Sequence, residues 1–576
     1  MPSLSLLQRL KERKLVQWAV AYLAGAWVIY EATGTALEAW NIPVLLVQAI
    51  HILLIIGFFI TLVLAWYHGE KGRQRVSGPE LLMVAALMVV AGVALSVLPG
   101  GDGGSHQNGT AITVEMDDEK PSIAVLPLDN FSPDPNDAYF ADGVHEEIIS
   151  RLSKVASLRV ISRNSVMRYR EERKLTRQVA TELGVGFILE GSARIGGGMV
   201  RLTLQLIDGN TDEHIWSEEY DRPYAVEDFI PIQSEIAQEI ARTLQVEIAP
   251  GEQALIAAVP TDNTEAYNAY LEGLFWSNRR DQDGLNRGVE LFQSAVETDS
   301  LFALAFAGLA EAYALFPWYG DTSISTAEAH ARASAAAKKA LELDGRLAEG
   351  YTALASVKMW FEWDWDSAEE AFLQAIALNP NFALAHSRYA WSLACWGRFE
   401  DAERRAYAAL ELDPLSESGR RNVGTVLYYG RRYDEAGEQL EANLEMYPES
   451  DATRDILAKV YFYQGMHEEA IDVRPGSVDA VRSLHALGLE AEATSLANRL
   501  LGERPEETDL GTRFSVRMAL GEVETAFESF FEAYQQKSPW VVAVVSPTFD
   551  PLRSDPRFIE ILRELDLEGL EHLGGN

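Results

Sequence analysis

Three prolines spaced 34 residues apart, Pro380, Pro414 and Pro448, constrain the fold of this chain more than any other feature. Small residues and a large ring recur at matching offsets before them, such as Phe399 and Ala402 ahead of Pro414. Two helices cross closely only where small side chains face each other, and a proline ends the second helix because it cannot continue one. The 34-residue period therefore predicts a stack of helix–turn–helix units.

This pattern resembles the tetratricopeptide repeat, and more degenerate units flank the three that are in phase. We expect seven or eight helical pairs over residues 263–538, followed by a carboxy-terminal cap over residues 539–576. The resemblance implies an all-α superhelix in which the first helix of each pair lines a concave groove. Grooves of this kind bind proteins or peptides.

The repeat phase, projected onto the first helices, predicts which side chains face the groove. Aromatic rings together with a cation are typical anchors for an extended or helical peptide. The predicted partner-binding residues are Trp360, Phe361, Trp391, Arg421, Tyr428, Tyr429, Lys459, Phe462 and Tyr463. Alternatively, several of these rings only pack against the neighbouring helical pair.

Three apolar runs, at residues 16–37, 44–67 and 81–98, lie far ahead of the repeats. A bilayer core needs about 20 helical residues, so the runs predict a membrane domain of three transmembrane helices. The basic residues precede the first run or lie between the second and third, which predicts a cytoplasmic amino terminus at residues 1–15. Residues 99–576 are then expected in the periplasm, anchored to a bacterial inner membrane. If the first run is only interfacial, two spans remain. Either a basic loop then lies outside the cytoplasm, or the large domain stays in the cytoplasm and the amino terminus lies outside.

A small domain is expected between the apolar runs and the repeats. Residues 99–120 are Gly-rich and then acidic, which predicts a flexible linker. Short apolar runs then alternate with helical periods, and the glycines at 196–198 indicate a hairpin. The expected order over residues 121–250 is β-α-β-α-β-β-β-α, an α/β domain.

This α/β segment resembles the TolB-like (FlgO-like) amino-terminal domain that bacterial proteins carry ahead of tetratricopeptide repeats. The sequences that carry the resemblance are SIAVLPLDNFSPDPNDAYFADGVHEEIISRLSK, LRVISRNSVMRYR and VATELGVGFILEGSARIGGGMVRLTLQLIDGNTDEHIWSEEYD. Members commonly have a cyclase or winged-helix domain before the membrane segment. Because only about 15 residues precede the first apolar run here, we expect no such output domain.

The charge balance argues against nucleic-acid partners. The chain has 49 Lys and Arg residues against 86 Asp and Glu residues, and a net charge of −37 repels phosphate backbones. The single cysteine, Cys395, excludes an intrachain disulfide and a multi-cysteine metal site. The sequence contains no phosphate-binding loop, HExxH string or G-x-S-x-G elbow, so we expect no enzyme, no catalytic residues, no cofactor and no metal.

The expected fold class is therefore multidomain, with three transmembrane helices, a small α/β domain and an all-α repeat superhelix. The expected function is an inner-membrane-anchored periplasmic scaffold that binds protein or peptide partners. The alternative is an envelope sensor that passes a ligand or pH signal through its membrane helices to a separate output protein. The sequence leaves the partner and the oligomeric state open.

Overall fold

A computed structural model describes residues 120–134, 138–172, 174–224, 226–278, 281–319 and 324–574. The chain divides into two compact units, residues 1–110 and 111–576, and all of the described residues belong to the second unit. That unit contains a small sheet domain followed by a helical array.

The predicted fold class with three transmembrane helices is wrong for this structure. Across the described ranges, no helix combines the length and the apolar character that a bilayer crossing requires. The predicted spans at 16–37, 44–67 and 81–98 lie outside the described residues.

The sheet domain has the strand order β3-β1-β4-β5-β6, with β2 added beside β4. The strands are β1 (Ser122–Val125), β2 (Asp129–Asn130), β3 (Arg159–Val160), β4 (Phe187–Gly196), β5 (Met199–Asp208) and β6 (His214–Pro223). β1 pairs in parallel with β3 and β4, whereas β4, β5 and β6 are antiparallel. The β4–β5 turn uses Gly197 and Gly198 at positive φ, where glycine is favoured.

Five helices accompany the sheet: α1 (Ala138–Ser153), α2 (Arg163–Met167), α3 (Thr176–Leu183), α4 (Val226–Thr243) and α5 (Pro250–Ile256). The core follows the two-residue period of the long strands. In β5, Val200, Leu202, Leu204 and Leu206 are buried while Met199 and Arg201 are exposed. One face of the hairpin is therefore covered by helices, and the other face is open to water.

Eight helical pairs follow. The first four are α6 (Thr264–Ser277) with α7 (Gln282–Thr298), α8 (Ala303–Tyr319) with α9 (Thr326–Leu343), α10 (Ala348–Val357) with α11 (Trp365–Leu378), and α12 (Ala383–Cys395) with α13 (Phe399–Leu412). The last four are α14 (Glu417–Tyr429) with α15 (Tyr433–Met446), α16 (Asp451–Tyr463) with α17 (His467–Val473), α18 (Val478–Ala486) with α19 (Glu490–Leu501), and α20 (Leu510–Ala519) with α21 (Val523–Gln535). These pairs confirm the predicted tetratricopeptide-like repeats.

Small residues lie at the helix crossings, as the repeat pattern requires. Ala402, Ala409 and Ala436 are almost completely buried. A Cβ atom at Gly424 would lie 2.6 Å from Cγ of Leu440 on the second helix of the same pair. This crossing therefore has no room for a larger side chain.

The carboxy-terminal segment, residues 538–574, contains 3₁₀ turns and the helix α22 (Pro556–Glu564). Besides the last pair, it contacts pairs that come much earlier in the array. Arg431 donates to Val545 O at 2.9 Å and to Asp550 Oδ1 at 2.6 Å, and the Trp365 indole donates to Leu565 O. The segment is an integral part of the core, because Phe549 and Phe558 are buried within it.

Candidate binding cavity between the sheet domain and the repeats

A cavity of about 730 Å³ lies where helix α1 faces the inner surface of the array. Each of the first six pairs contributes a side chain to its wall. These residues are Tyr270, Glu311, Trp360, Trp391, Tyr429 and Asp455. The sheet domain contributes Glu146 and Glu147 of α1 together with Arg163 and Asn164.

Hydrogen bonds to the turns between pairs hold the sheet domain against the array. Asn381 Nδ2 lies 3.0 Å from Ser153 O and 2.8 Å from Leu158 O, and Asn381 Oδ1 accepts the Val160 amide at 3.3 Å. At the end of the next pair, the carbonyl oxygen of Leu412 accepts a hydrogen bond from the Ser162 amide at 2.7 Å. The repeats therefore fix both α1 and the end of β3.

Asp413 makes a second polar contact between the repeats and the sheet domain, beside the cavity. Its carboxylate accepts from Ser165 Oγ at 2.5 Å and from Asn164 Nδ2 at 3.1 Å. Burial raises the pKa of Asp413, and these hydrogen bonds lower it in partial opposition. A buried carboxylate held only by neutral donors keeps its negative charge uncompensated.

Arg388 of α12 connects three pairs along the inner surface. Its guanidinium donates to Glu311 Oε2 at 2.6 Å and to Ser356 Oγ at 2.6 Å. The same group lies 4.9 Å from the centroid of the Trp360 ring, within cation–π distance. Its charge is thus neutralised by Glu311 while it covers one part of the aromatic wall.

Two further carboxylates beside the cavity have perturbed pKa values. Burial raises the pKa of Glu146, and the ion pair with Arg163 Nε at 2.8 Å opposes that shift. Burial also raises the pKa of Glu349, with Lys154 opposing it through a longer-range interaction. Carboxylates therefore lie in a poorly solvated part of the cavity wall.

The structure brings four of the nine predicted groove residues into this cavity: Trp360, Trp391, Arg421 and Tyr429. Trp360 lies in the π-helical turn Lys358–Glu362 that follows α10, and the other three lie on α12 and α14. Arg421 forms an ion pair with Glu417 one helical turn earlier.

The other five predicted residues lie outside the cavity wall. Phe361 stacks on His330 with ring centroids 5.1 Å apart, and Tyr428 is buried with its hydroxyl 3.3 Å from Ser546 Oγ. The remaining three belong to α16, which contacts the following pair and the preceding one. Lys459 Nζ lies 3.2 Å from Asp479 Oδ2, Phe462 lies beneath Arg482, and Tyr463 stacks on Tyr433.

Apart from Arg421, sequence reasoning missed the polar part of the cavity. Arg388 precedes Trp391 by one helical turn, so the repeat phase could have identified it. Glu146, Glu147 and Asn164 gave no such signal, since they belong to another domain and reach the cavity only through packing. In the ranges that the structure describes, no group of three or more His, Cys, Asp or Glu side chains is arranged to hold a metal ion.

Comparison with protein families gives one match in the sheet domain. A family model described as "HilA/YgeH-like transcriptional regulator, second domain" matches residues 119–239. The match covers one domain only. The resemblance to the TolB-like family stays a prediction.

Among curated proteins, the chain is 36% identical over 255 residues to "Putative adenylate cyclase 3" of Rhizobium meliloti. The alignment covers 44% of this chain and 42% of the relative, so the chain spans less than half of that relative's length.

Among solved structures, similar chains include the pilF protein of Pseudomonas aeruginosa, at 19% identity and a TM-score of 0.30. That match covers 39% of this chain and 97% of the other. A tetratricopeptide repeat protein of Parabacteroides merdae is 13% identical with a TM-score of 0.29, covering 54% and 99% of the two chains.

Proposed function

We propose that this protein is an interaction scaffold that binds a short segment of a partner protein in the cavity between α1 and the repeats. One observation carries the proposal: six consecutive pairs and the sheet domain together line a single cavity whose wall includes Trp360, Trp391 and Tyr429. Aromatic side chains anchor peptides because they supply large contact areas at a small cost in conformational entropy.

The chain's own carboxy-terminal segment covers part of the groove and so limits where a partner can bind. It covers Tyr428 and packs against the turns near Trp365 and Arg431. The partner site is thus the part of the groove that this segment leaves open, with Trp391 and Arg421 on its wall.

A location outside the cytoplasm, expected from the sequence, is part of this proposal. Alkaline phosphatase and a green fluorescent protein, fused separately after Asn576, test it in a Gram-negative host. Phosphatase activity without fluorescence supports the location, and the reverse result overturns it.

The sensor alternative is not favoured by a specific feature of the cavity. The cyclase activity in the relative's name does not extend to this chain on this alignment, which covers less than half of that protein.

Selection of displayed random peptides against the purified full-length chain tests the binding function. We expect enriched peptides that bind the wild type and lose binding when Trp391 is changed to Ala. Phe531→Ala is the matched control, since Phe531 is an exposed ring on α21, away from the cavity. Peptides that bind both variants equally, or no enriched peptide at all, would contradict the proposal.

A further inference from the structure

We infer that the segment bound in the cavity is cationic and places a lysine or arginine side chain among the carboxylates of the cavity wall. This inference rests on the proposed function and specifies its ligand. The observations behind it are the charge balance of the wall, the pairing of its arginines, its aromatic rings and one unsatisfied amide oxygen.

The wall carries more negative than positive groups. Its acidic residues are Glu146, Glu147, Glu311, Glu349, Asp413 and Asp455, and its basic residues are Arg163, Arg388 and Arg421. Glu147 and Asp455 are paired with Arg151 and Arg474, which lie outside the wall, so the surplus negative charge belongs to Glu349 and Asp413. A ligand with positive charge is attracted into such a space, and a ligand with negative charge is repelled.

Each of the three arginines is already paired with a carboxylate. Arg163 Nε lies 2.8 Å from Glu146, Arg388 is held by Glu311, and Arg421 is held by Glu417. They are therefore not available as the main anchor of an anionic ligand.

Two of the carboxylates have no ion-pair partner among the described residues. Asp413 is only 5% exposed and accepts hydrogen bonds from Ser165 and Asn164, which are both neutral. Glu349 forms no ion pair with any other described residue. Burial raises the pKa of each, because desolvation disfavours the charged carboxylate, and a cation placed beside it favours that form.

Asn379 adds an acceptor that points to the same kind of ligand. It lines the cavity, is 2% exposed, and donates through Nδ2 to Ser153 Oγ at 2.9 Å. Its Oδ1 atom has no hydrogen-bond partner within the described part of the chain. A buried acceptor of this kind is satisfied by a donor, and an ammonium or guanidinium group brings several.

The aromatic wall suits the same ligand. The guanidinium of Arg388 already lies 4.9 Å from the Trp360 centroid, so this wall accommodates a cation over a ring. Trp391 and Tyr429 offer further rings in the same cavity. A cation over such a ring is attracted by the negative face of the ring, and more strongly the further the cation is desolvated.

Calorimetry on the full-length chain with three short peptides tests the inference. The peptides are acetyl-Ala-Lys-Ala-Lys-Ala-amide and its counterparts with Gln or Glu in place of Lys, and spermidine serves as a free amine. We expect the Lys peptide to bind at least about tenfold more tightly than the Gln peptide, with the difference shrinking as salt is raised. Binding of the Glu peptide is expected to be weakest.

Glu349→Gln should weaken binding of the Lys peptide several-fold and leave the Gln peptide unchanged. Glu342→Gln is the matched control, because Glu342 lies on α9 with its side chain 70% exposed and pairs with Lys339. The inference is overturned if the Glu349→Gln variant has the circular dichroism spectrum of the wild type and binds the Lys peptide as tightly as the wild type does.

The remaining outcomes separate this inference from the proposed function. Equal binding of the Lys and Gln peptides overturns the cationic preference and leaves the peptide-binding function standing. If spermidine binds in a way that depends on Glu349 and no peptide binds, the cationic site is supported. The same result overturns the proposal that a peptide supplies the cation. Preferential binding of the Glu peptide overturns the inference outright.

Discussion

Asn381 donates a hydrogen bond of 2.8 Å from its side-chain amide to the backbone carbonyl of Leu158, a residue 223 positions earlier in the chain. Asn381 lies in the turn between the third and fourth helical pairs, and Leu158 precedes β3. This contact, with its neighbours at Ser153 and Val160, sets one wall of the cavity at a fixed distance from the other.

Asn381→Ala should loosen the sheet domain from the repeats. The change leaves the Leu158 carbonyl and the Val160 amide without their partner, at a cost of about 1–3 kcal/mol. Faster hydrogen exchange of the Val160 amide is the expected result. Asn498→Ala, at an exposed position on α19, should leave that exchange unchanged. Equal exchange in wild type and Asn381→Ala would mean that the bond does not hold the domain.

Two glycines in the fifth pair should respond in opposite directions to the same substitution. Gly424→Ala places a Cβ 2.6 Å from Leu440 Cγ, and overpacking of this kind costs about 1–3 kcal/mol. At Gly437, in mid-helix, the nearest atom to a new Cβ lies at 3.7 Å, so Gly437→Ala should add about 0.5–1 kcal/mol through helix propensity. Urea unfolding of both variants measures the difference. A Gly424→Ala variant as stable as the wild type would contradict the close crossing at Gly424, and a destabilised Gly437→Ala would contradict the open space at Gly437.

Two buried histidines should make the protein less stable in acid. Burial lowers the pKa of His145 and of His386 from 6.5 to about 4, and each ring is held by a carbonyl, of Val125 and Pro380 respectively. Between those pH values the unfolded chain binds protons that the folded chain does not, so the free energy of unfolding falls as pH falls. Each histidine contributes at most about 3 kcal/mol, and its contribution is flat below pH 4.

Thermal and urea unfolding of wild type and His386→Gln across this pH range test the effect. The variant should lose less stability on acidification, by up to about 3 kcal/mol. The carboxylates of Glu146, Glu349 and Asp413, whose pKa values are raised, change stability in the opposite direction but are common to both proteins. Parallel pH profiles for the two proteins would show that His386 does not carry the shift.

The carboxy-terminal segment should unfold together with the repeats. Phe558 is fully buried on α22 and packs against Phe530, with ring centroids 5.4 Å apart. Phe558→Ala should cost about 3–5 kcal/mol. Phe531→Ala, where the ring is 42% exposed, should cost much less. An unchanged unfolding midpoint in Phe558→Ala would indicate that the segment is a detachable arm.

Patterns confined to one stretch of chain could be read from the sequence. The 34-residue period predicted the helical pairs because each pair is a local unit whose small residues and closing proline recur at fixed offsets. The Gly197-Gly198 turn predicted the β4–β5 hairpin because few other residues accept positive φ at both positions. The three apolar runs predicted membrane helices, and that fold class was wrong for the structure as described.

The repeat phase also placed Trp391 and Tyr429 on the inner surface, since the phase of a helix fixes its faces. It could not show that Tyr428 lies beneath Ser546 or that Phe361 stacks on His330. Those contacts depend on which distant segment covers each helix, and no period encodes that.

The sequence by itself thus determined the local elements and their order, because hydrogen bonds and amphipathic faces within an element depend on residues a few positions apart. Only the tertiary structure decided the cavity. Arg388 reaches Glu311 across an intervening pair, and α1 brings Glu146 and Glu147 to face the repeats. The physical reason is that packing between elements is set by the fit of whole surfaces, to which residues hundreds of positions apart contribute equally.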